Sequence, residues 1–396
     1  MIAIRFAARN LLRQPGRTAL GVLGIAAVGA LLFDMLLLSR GLVVSFRDLL
    51  DSVGFDIRVA ASELALPGGV PLKDATVAVD AISALPEVDE AVAVRTLQGE
   101  VNTPTGTKMV PLLAIDPGGR RPWTVVSGVD LDQIDAPAIL VNENLQAILR
   151  QPVGGDLQVR LSCDRGRAAP LPRTFRVAGV AQFPFDDESQ LTGLVARSVV
   201  RDACGGEGDE ADLLMVASSA GASTLAAVRA IRAARPDLAA VTNEQIVARV
   251  QTQGFTYFRQ ISAVLSTITL LFGFLLITVL LTVSVNQRLG EIAALRALGF
   301  SAARAAVDVF CQGAMLVGAG GLLALPLGVV LSIWLDGILK AMPGIPAAMH
   351  FFVFEARTLA WHAGLLIATA VLASAYPMWI VARLPIASTL RNEVVS

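Results

Sequence analysis

The sequence is poor in the side chains that most chemistry needs: it has three lysines, two histidines, two tyrosines and three cysteines in 396 residues. His350 and His362 stand alone, with no HExxH and no paired CxxC, so the pattern offers no catalytic or structural metal site. No GxSxG nucleophile elbow occurs, and Lys73, Lys108 and Lys340 sit in no GxxxxGK[ST] context, so the chain carries no phosphate-cradling loop of its own. Charged residues make up only 16%, and the net charge of −1 provides no electrostatic footprint for nucleic acid. With catalysis and nucleic-acid binding set aside, the remaining signal is apolar.

Hydrophobic residues make up 54% of the chain, and they gather in four membrane-length runs near Thr18–Leu38, Ile261–Val285, Ala305–Leu335 and Leu359–Val381. The second run has 25 positions without a charge, enough to cross a hydrocarbon core of about 30 Å at about 1.5 Å per residue. Between the first and second runs lies a long polar stretch. The reading is an α-helical membrane protein with four transmembrane helices and a large α/β or α+β extracytoplasmic domain inserted between the first two. The expected segments are an amphipathic cytoplasmic helix over 1–17, spans over 18–45, 251–285 (with a stalk helix leading in), 305–335 and 359–382, and the inserted domain over 46–250. A cytoplasmic loop over 286–304, an outer loop over 336–358 and a cytoplasmic tail over 383–396 complete the list.

Charge sets the expected orientation. Arg5, Arg9, Arg13 and Arg17 precede the first span with no acid among them, whereas residues 46–259 hold 20 basic and 27 acidic side chains. The positive-inside rule puts both termini and the 286–304 loop in the cytoplasm, and the insert outside the cytoplasmic membrane. The first span, longer than a signal-peptide core and followed by no clear small-x-small site, reads as an uncleaved anchor. Within the insert, Asp56–Ala60, Lys108–Ile115, Leu157–Leu161 and Thr174–Val180 read as strands. Thr76–Leu85, Glu143–Leu149 and Ser223–Arg235 read as helices, and Gly205–Asp212 as an exposed acidic loop. Glu244–Gln260 reads as a helix running into the second span, and Pro326 as a kink within the third.

Few residues stand out as candidates. Cys163 and Cys204 both fall in the insert, where an oxidising compartment permits a bridge; two unrelated small residues are the alternative. Asp34 and Asp308 lie inside apolar runs, and each reads either as part of a proton relay or as a structural acid satisfied by water or by a nearby Arg40 or Arg304. His362 reads as interfacial rather than catalytic. Small-residue pairs at Gly364/Ala368, Ala370/Ser374 and Ala314/Gly318 suit close helix packing. The sharpest local signal is NQRLGEIAALRALGFSAAR, over 286–304. It patterns as a short amphipathic helix with Ile292, Leu295 and Leu298 on one side, Gly299 as a left-handed C-terminal cap and Ser301 capping the next helix.

EIAALRALGFS closely resembles the E-I-x-x-L-R-A-L-G-A-S segment of FtsX-like ABC transporter permeases. RFAARNLLRQPGRTALGVLGI resembles that family's R-N-L-x-R-x-x-x-R-T-x-L-T-x-L-G-I opening, and YPMWIVARLPIASTLR its closing Y-P-A-x-x-A-A-R-x-x-P-x-E-A-L-R. PAILVNENLQAILRQPVGGDLQVRL and TFRVAGV are similar to part of the family's external core domain. Phe300, Ile386, Ser388 and Thr389 depart from the pattern. The resemblance is to the branch with no fused nucleotide-binding domain, which includes lipoprotein-releasing permeases. It implies that Arg288, Glu291, Ile292, Leu295, Arg296, Leu298 and Gly299 form a helix docking into a separate ATPase, which binds the ATP and magnesium, so this chain holds no cofactor itself. It further implies a dimer of two ATPases with two permeases, the second a copy or a paralogue, along with a periplasmic adaptor or carrier protein. The implied mechanism is mechanotransmission: the ATPases' closure moves the external domains, which export or extract a lipidated or amphipathic substrate. The alternative is a regulatory permease that controls a cell-wall hydrolase or signalling partner.

Overall fold

A computed structural model describes residues 2–62, 70–104, 106–164, 167–168, 171–204, 209–253 and 256–383. Ile386, Ser388 and Thr389 of the closing motif, and residues 205–208 of the acidic loop, lie outside the described residues. The chain divides into two units, one made of Met1–Leu42, Phe255–Ile338 and His350–Ser396, the other of Val43–Gly254 with Leu339–Met349.

The first unit is helical. Helix α1 covers Ile2–Arg13 and α2 covers Pro15–Ser52; proline is suited to the first helical position because its missing N–H has no intrahelical partner there. After the inserted domain come α8 (Thr256–Asn286), α9 (Leu289–Ala297), α10 (Ala302–Lys340) and α11 (Ala356–Ala382). Helices α2, α8, α10 and α11 are each long and apolar enough to cross a membrane. Their shared core includes Ile25 of α2, Ile277 and Leu281 of α8, Leu316 and Val317 of α10, and Ala370 and Ala373 of α11. Ile261, Ile268, Phe272, Leu275 and Val279 of α8 point away from that core and are exposed, as suits side chains that meet lipid.

Small residues set some of the helix spacing, though not all of the expected ones. Ala370 and Ser374 are buried, and a Cβ added to Gly313 of α10 would lie 2.7 Å from Ser374 Oγ, so α10 and α11 meet there at close range. Gly364, Ala368, Ala314 and Gly318 are instead exposed, because the helical phase turns them away from the bundle.

The second unit is built on β1 (Ile57–Ala60), β2 (Val88–Thr103), β3 (Gly106–Ile115), β4 (Thr124–Gly128), β5 (Ala138–Val141), β6 (Asp156–Asp164), β7 (Arg167–Ala168), β8 (Arg173–Gln182), β9 (Gly193–Val195), β10 (Leu213–Ser218) and β11 (Ala239–Thr242). Helices α3 (Ala75–Ser83), α4 (Glu143–Leu149), α5 (Arg197–Ala203), α6 (Thr224–Ala234) and α7 (Asn243–Gln253) cover it. Strands β11, β1, β10 and β2 lie side by side, each antiparallel to its neighbour. With α3 after β1 and α6 after β10 this is the β-α-β-β-α-β arrangement of ferredoxin-like domains. Its core packs Ile57, Ile82, Leu214, Val216, Val228 and Ile231.

Most of the described residues between β2 and β10 form a second lobe. Pairings run β2 to β3, β3 to β9, β9 to β5, β5 to β8, β8 to β6 and back from β6 to β2, so six strands close a ring. Closure removes exposed strand edges, and the interior holds Leu112, Ile139, Leu157, Val159, Phe175 and Val177. The 16-residue β2 serves both lobes: its first half pairs with β10 and its Gly99–Val101 stretch with β6.

The α9 knob and the polar residues of the bundle

Helix α9 is short, and its ends are well finished. Glu291 lies in the first turn and Arg296 in the last, so each charge opposes the partial charge of the helix end it occupies. At the C-terminus Gly299 has φ +97°. Its N–H donates to the Arg296 carbonyl at 3.1 Å, and the Phe300 N–H donates to the Leu295 carbonyl at 3.1 Å. This pair of bonds is a Schellman motif, which needs a left-handed residue at that position and so favours glycine. Ser301 then caps α10, accepting from the Arg304 N–H at 3.4 Å.

Burial divides the residues singled out from the sequence. Gly290 and Ala293 are buried. Ile292 packs beside the cluster of Val285, Val309 and Val381. Leu295 is half-buried, whereas Leu298 is 79% exposed and Phe300 47%. Ile292, Leu295 and Leu298 therefore do not share one side as expected. Leu298 follows the last helical residue, where the chain turns toward Gly299, and the helical phase no longer governs it. The Arg296 guanidinium donates to the Val381 carbonyl at 3.3 Å and so holds α9 against the end of α11. Arg288 is the residue before α9, and its carbonyl accepts from Ile292 N–H at 2.9 Å. The result is a capped knob whose outward face carries Glu291, Leu298 and Phe300.

Arg17, at the start of α2, was not picked out as a site residue. Its guanidinium donates to the Leu280 carbonyl at 2.7 Å and to the Gln287 side chain at 2.6 Å, pinning α2 to the end of α8 just before the knob.

Neither intramembrane acid has the arginine partner expected for it. Asp34 is fully buried and accepts from Ser332 Oγ at 2.5 Å, while Arg40 approaches Glu355 at 3.9 Å. Asp308 accepts from Gln312 at 2.8 Å, and Arg304 is exposed. In each case an uncharged partner on a facing helix or one turn along the same helix lies closer than the arginine does. His362, at 3% exposure, is buried in the bundle, because its helical phase turns it toward Phe33 of α2.

In the inserted domain Cys163 and Cys204 form a disulfide with Cα atoms 5.4 Å apart, between β6 and the residue after α5. Residues 209–212 are not a loose acidic loop. Asp209 accepts from Thr76 and from the buried Arg197 at 2.8 Å, Asp212 accepts from Thr96 N–H at 2.7 Å, and Ala211 is fully buried. Burial alone would raise the Asp209 pKa, but these donors hold it below the usual carboxylate value.

Residues 263–386 match the family described as FtsX-like permease C-terminal, a stretch that includes most of α8 and all of α9, α10 and α11. This membrane segment is similar to that family. The α9 knob lies within this stretch, between the first two of its three spans, α8 and α10. No curated protein sequence matches the chain. Among solved structures, the periplasmic region of MacB from Actinobacillus actinomycetemcomitans is 13% identical, over 51% of this chain and 95% of that one, with a TM-score of 0.38. The extracellular domain of the noncanonic ABC-type transporter YknZ from Gram-positive bacteria is 13% identical, over 47% of this chain and 98% of that one, with a TM-score of 0.34.

Proposed function

We propose that this chain is the permease subunit of an ATP-binding-cassette system in the cytoplasmic membrane, driven by a separate ATPase dimer that docks on the α9 knob. The observation that carries the reading is the knob itself: a capped helix inside the FtsX-like segment that presents Glu291, Leu298 and Phe300 outward. A solvated loop has no need for two apolar side chains at an exposed helix end, whereas a docking surface uses such anchors. The arginine-rich N-terminal segment orients the knob and both termini toward the cytoplasm, with the inserted domain outside. ATP and magnesium belong to the ATPase. The ATPase acts by mechanotransmission: its closure moves α2 and α8, which carry the motion to the inserted domain. The cargo is a lipidated or amphipathic molecule taken from the outer side of the membrane, and the working assembly holds two permeases.

The test is a Glu291→Lys, Leu298→Asp double variant. Leu298 is mostly exposed, so the change alters the docking face and leaves the packing alone. Affinity purification of the tagged permease from its native membrane should recover the ATPase with the natural chain and lose it with the variant. Equal recovery of the ATPase by both would refute docking at α9.

A further inference from the structure

Two elements of the membrane bundle carry matching polar stripes, and a third, α2, places Arg40 and Asp34 six residues apart, about 120° around the helix. On α10 the stripe runs from Asp336 to Ser332, one turn apart. On α11 and its lead-in it runs from Glu355 through Thr358 to His362, spacings that keep all three on one helical face. Cross-links join the stripes at two levels. At one end Arg40 lies 3.9 Å from Glu355, while Asp336 accepts from Phe351 N–H at 2.8 Å and faces His350 Nδ1 at 3.3 Å. Further in, Ser332 Oγ donates to Asp34 at 2.5 Å, and the ring of Phe33 lies 5.2 Å from the His362 imidazole.

Exposure falls along the stripes. The side chains of His350, Arg40, Glu355 and Asp336 are 64%, 37%, 35% and 16% exposed. Thr358, Ser332, His362 and Asp34 are buried at 3% or less. At this inner level Asp34 Oδ2, Thr358 Oγ1 and both ring nitrogens of His362 have no hydrogen-bond partner. An unpaired buried polar group costs about 1–3 kcal/mol, and a carboxylate charge inside a membrane costs more. Water reaching this level from the Arg40–Glu355 end would satisfy them, since a buried water bonds two to four polar atoms and four unpaired ones lie here. Further along the same helices the core becomes apolar, with Ile25, Ile277, Leu316 and Val317, so the polar route ends within the bundle.

We infer that Asp34 and His362 form a proton-binding pair bridged by water, which enters from the Arg40–Glu355 end of the bundle past Thr358, with Ser332 donating to Asp34. A hydronium ion gives one proton to the pair and is left as water. The pair changes from a net charge of −1, with carboxylate and neutral imidazole, to zero. The held proton passes between a carboxyl oxygen and a ring nitrogen through the bridging water, with no further change in charge. The ionisable groups around the pair are Arg40 from α2, Asp336 from α10, and His350 and Glu355 from the lead into α11. Helix α8 meets α2 where Ser262 donates to the Met35 carbonyl at 3.1 Å, and its nearby Arg259 is exposed. The inference does not depend on the reading of the chain as an ATP-driven subunit.

Because the sequence has only two histidines, nuclear magnetic resonance of the full chain, labelled at histidine nitrogen and held in lipid nanodiscs, can follow each imidazole separately. His350→Asn assigns the two signals. The His362 signal should titrate with pH, and Asp34→Asn should move its midpoint by about one unit, the size expected of coupled groups, with His350 unchanged. A His362 signal that titrates identically in Asp34→Asn, or that responds to sodium concentration and not to pH, would overturn the pair. The unsubstituted chain offers an independent check in case Asp34→Asn fails to fold. In infrared spectra recorded below the titration midpoint, the carboxylic-acid C=O band should shift within minutes of transfer to heavy water, and Thr358→Val should slow that exchange. A band that stays unexchanged for hours would mean a dry site and would refute the inference.

Discussion

At the scale of the residue, the inserted domain places single charged groups where several donors converge on them. Asp56, just before β1, accepts from Ser218 N–H at 2.8 Å, Ser218 Oγ at 2.5 Å and Thr224 Oγ1 at 2.7 Å. Burial raises its pKa, and these donors more than reverse that, leaving it below the usual carboxylate value. Nearby Arg58 is pulled down to about 10 by its burial, against the opposing charges of Asp56 and Asp51. A carboxylate whose folded pKa is lowered stabilises the fold above its unfolded pKa and loses that contribution as pH falls through the folded value. Asp56→Ala should therefore cost about 1.5–3 kcal/mol at neutral pH, the range for hydrogen bonds to a charged group, and the gap from the natural chain should close in acid. Hydrogen exchange in β1 and β10 of the full chain, measured against pH, checks this; a gap independent of pH would remove the carboxylate from the explanation. None of these partners was visible in sequence, since Asp56 and Ser218 are 162 residues apart.

At the scale of the element, α9 depends on its end. Gly299 holds a left-handed conformation at φ +97° with open space around its Cα, so a side chain there meets no neighbour and only the backbone preference is at stake. Left-handed geometry costs an ordinary residue about 1–2 kcal/mol. Gly299→Ala should fray the last turn of α9 by about that amount, and Gly299→Asn by less, since asparagine tolerates this region better. Amide exchange at Leu298, Gly299 and Phe300 measures both; equal exchange in alanine, asparagine and natural chains would show that the cap does not hold the helix. This cap was legible because a glycine after an apolar helical run is a local signal. The four spans and the strands β1, β3, β6 and β8 were legible for the same reason, through length and alternation. Strand β2 was not: Arg95, Gln98, Gly99 and Glu100 interrupt its apolar run, and its two-lobed role rests on partners far along the chain. The exposure of Leu298 and the burial of His362 were not legible, because helical phase near an end or in a bundle is decided by contacts that sequence does not show.

At the scale of the whole molecule, the chain passes between its two units four times, and the short segment Leu339–Met349 belongs with the inserted domain although it joins α10 to α11. Its attachment is specific. Gly344 N–H donates to the Asp187 carboxylate at 2.8 Å, and Ala347 N–H donates to the Asp186 carbonyl at 2.8 Å. The Gly344 bond is the largest cause of a lowered Asp187 pKa, with the Ser189 N–H and hydroxyl adding to it against a small burial effect. The neighbouring Asp186 is raised instead, chiefly by burial, although Thr192 and Asn142 donate to it. The two acids thus divide their work: Asp186 braces the turn from within, and Asp187 holds the 339–349 segment from the surface. The clasp is strongest above the usual carboxylate range and weakens as pH falls through the lowered Asp187 value. Asp187→Ala should speed amide exchange at Gly344 by about tenfold or more, as expected on losing a hydrogen bond to a charged group worth about 1.5–3 kcal/mol, with Asp187→Asn between it and the natural chain. Acid should bring the natural chain toward the alanine variant. If Gly344 exchanges equally in all three, the segment is held by its own turn and not by Asp187.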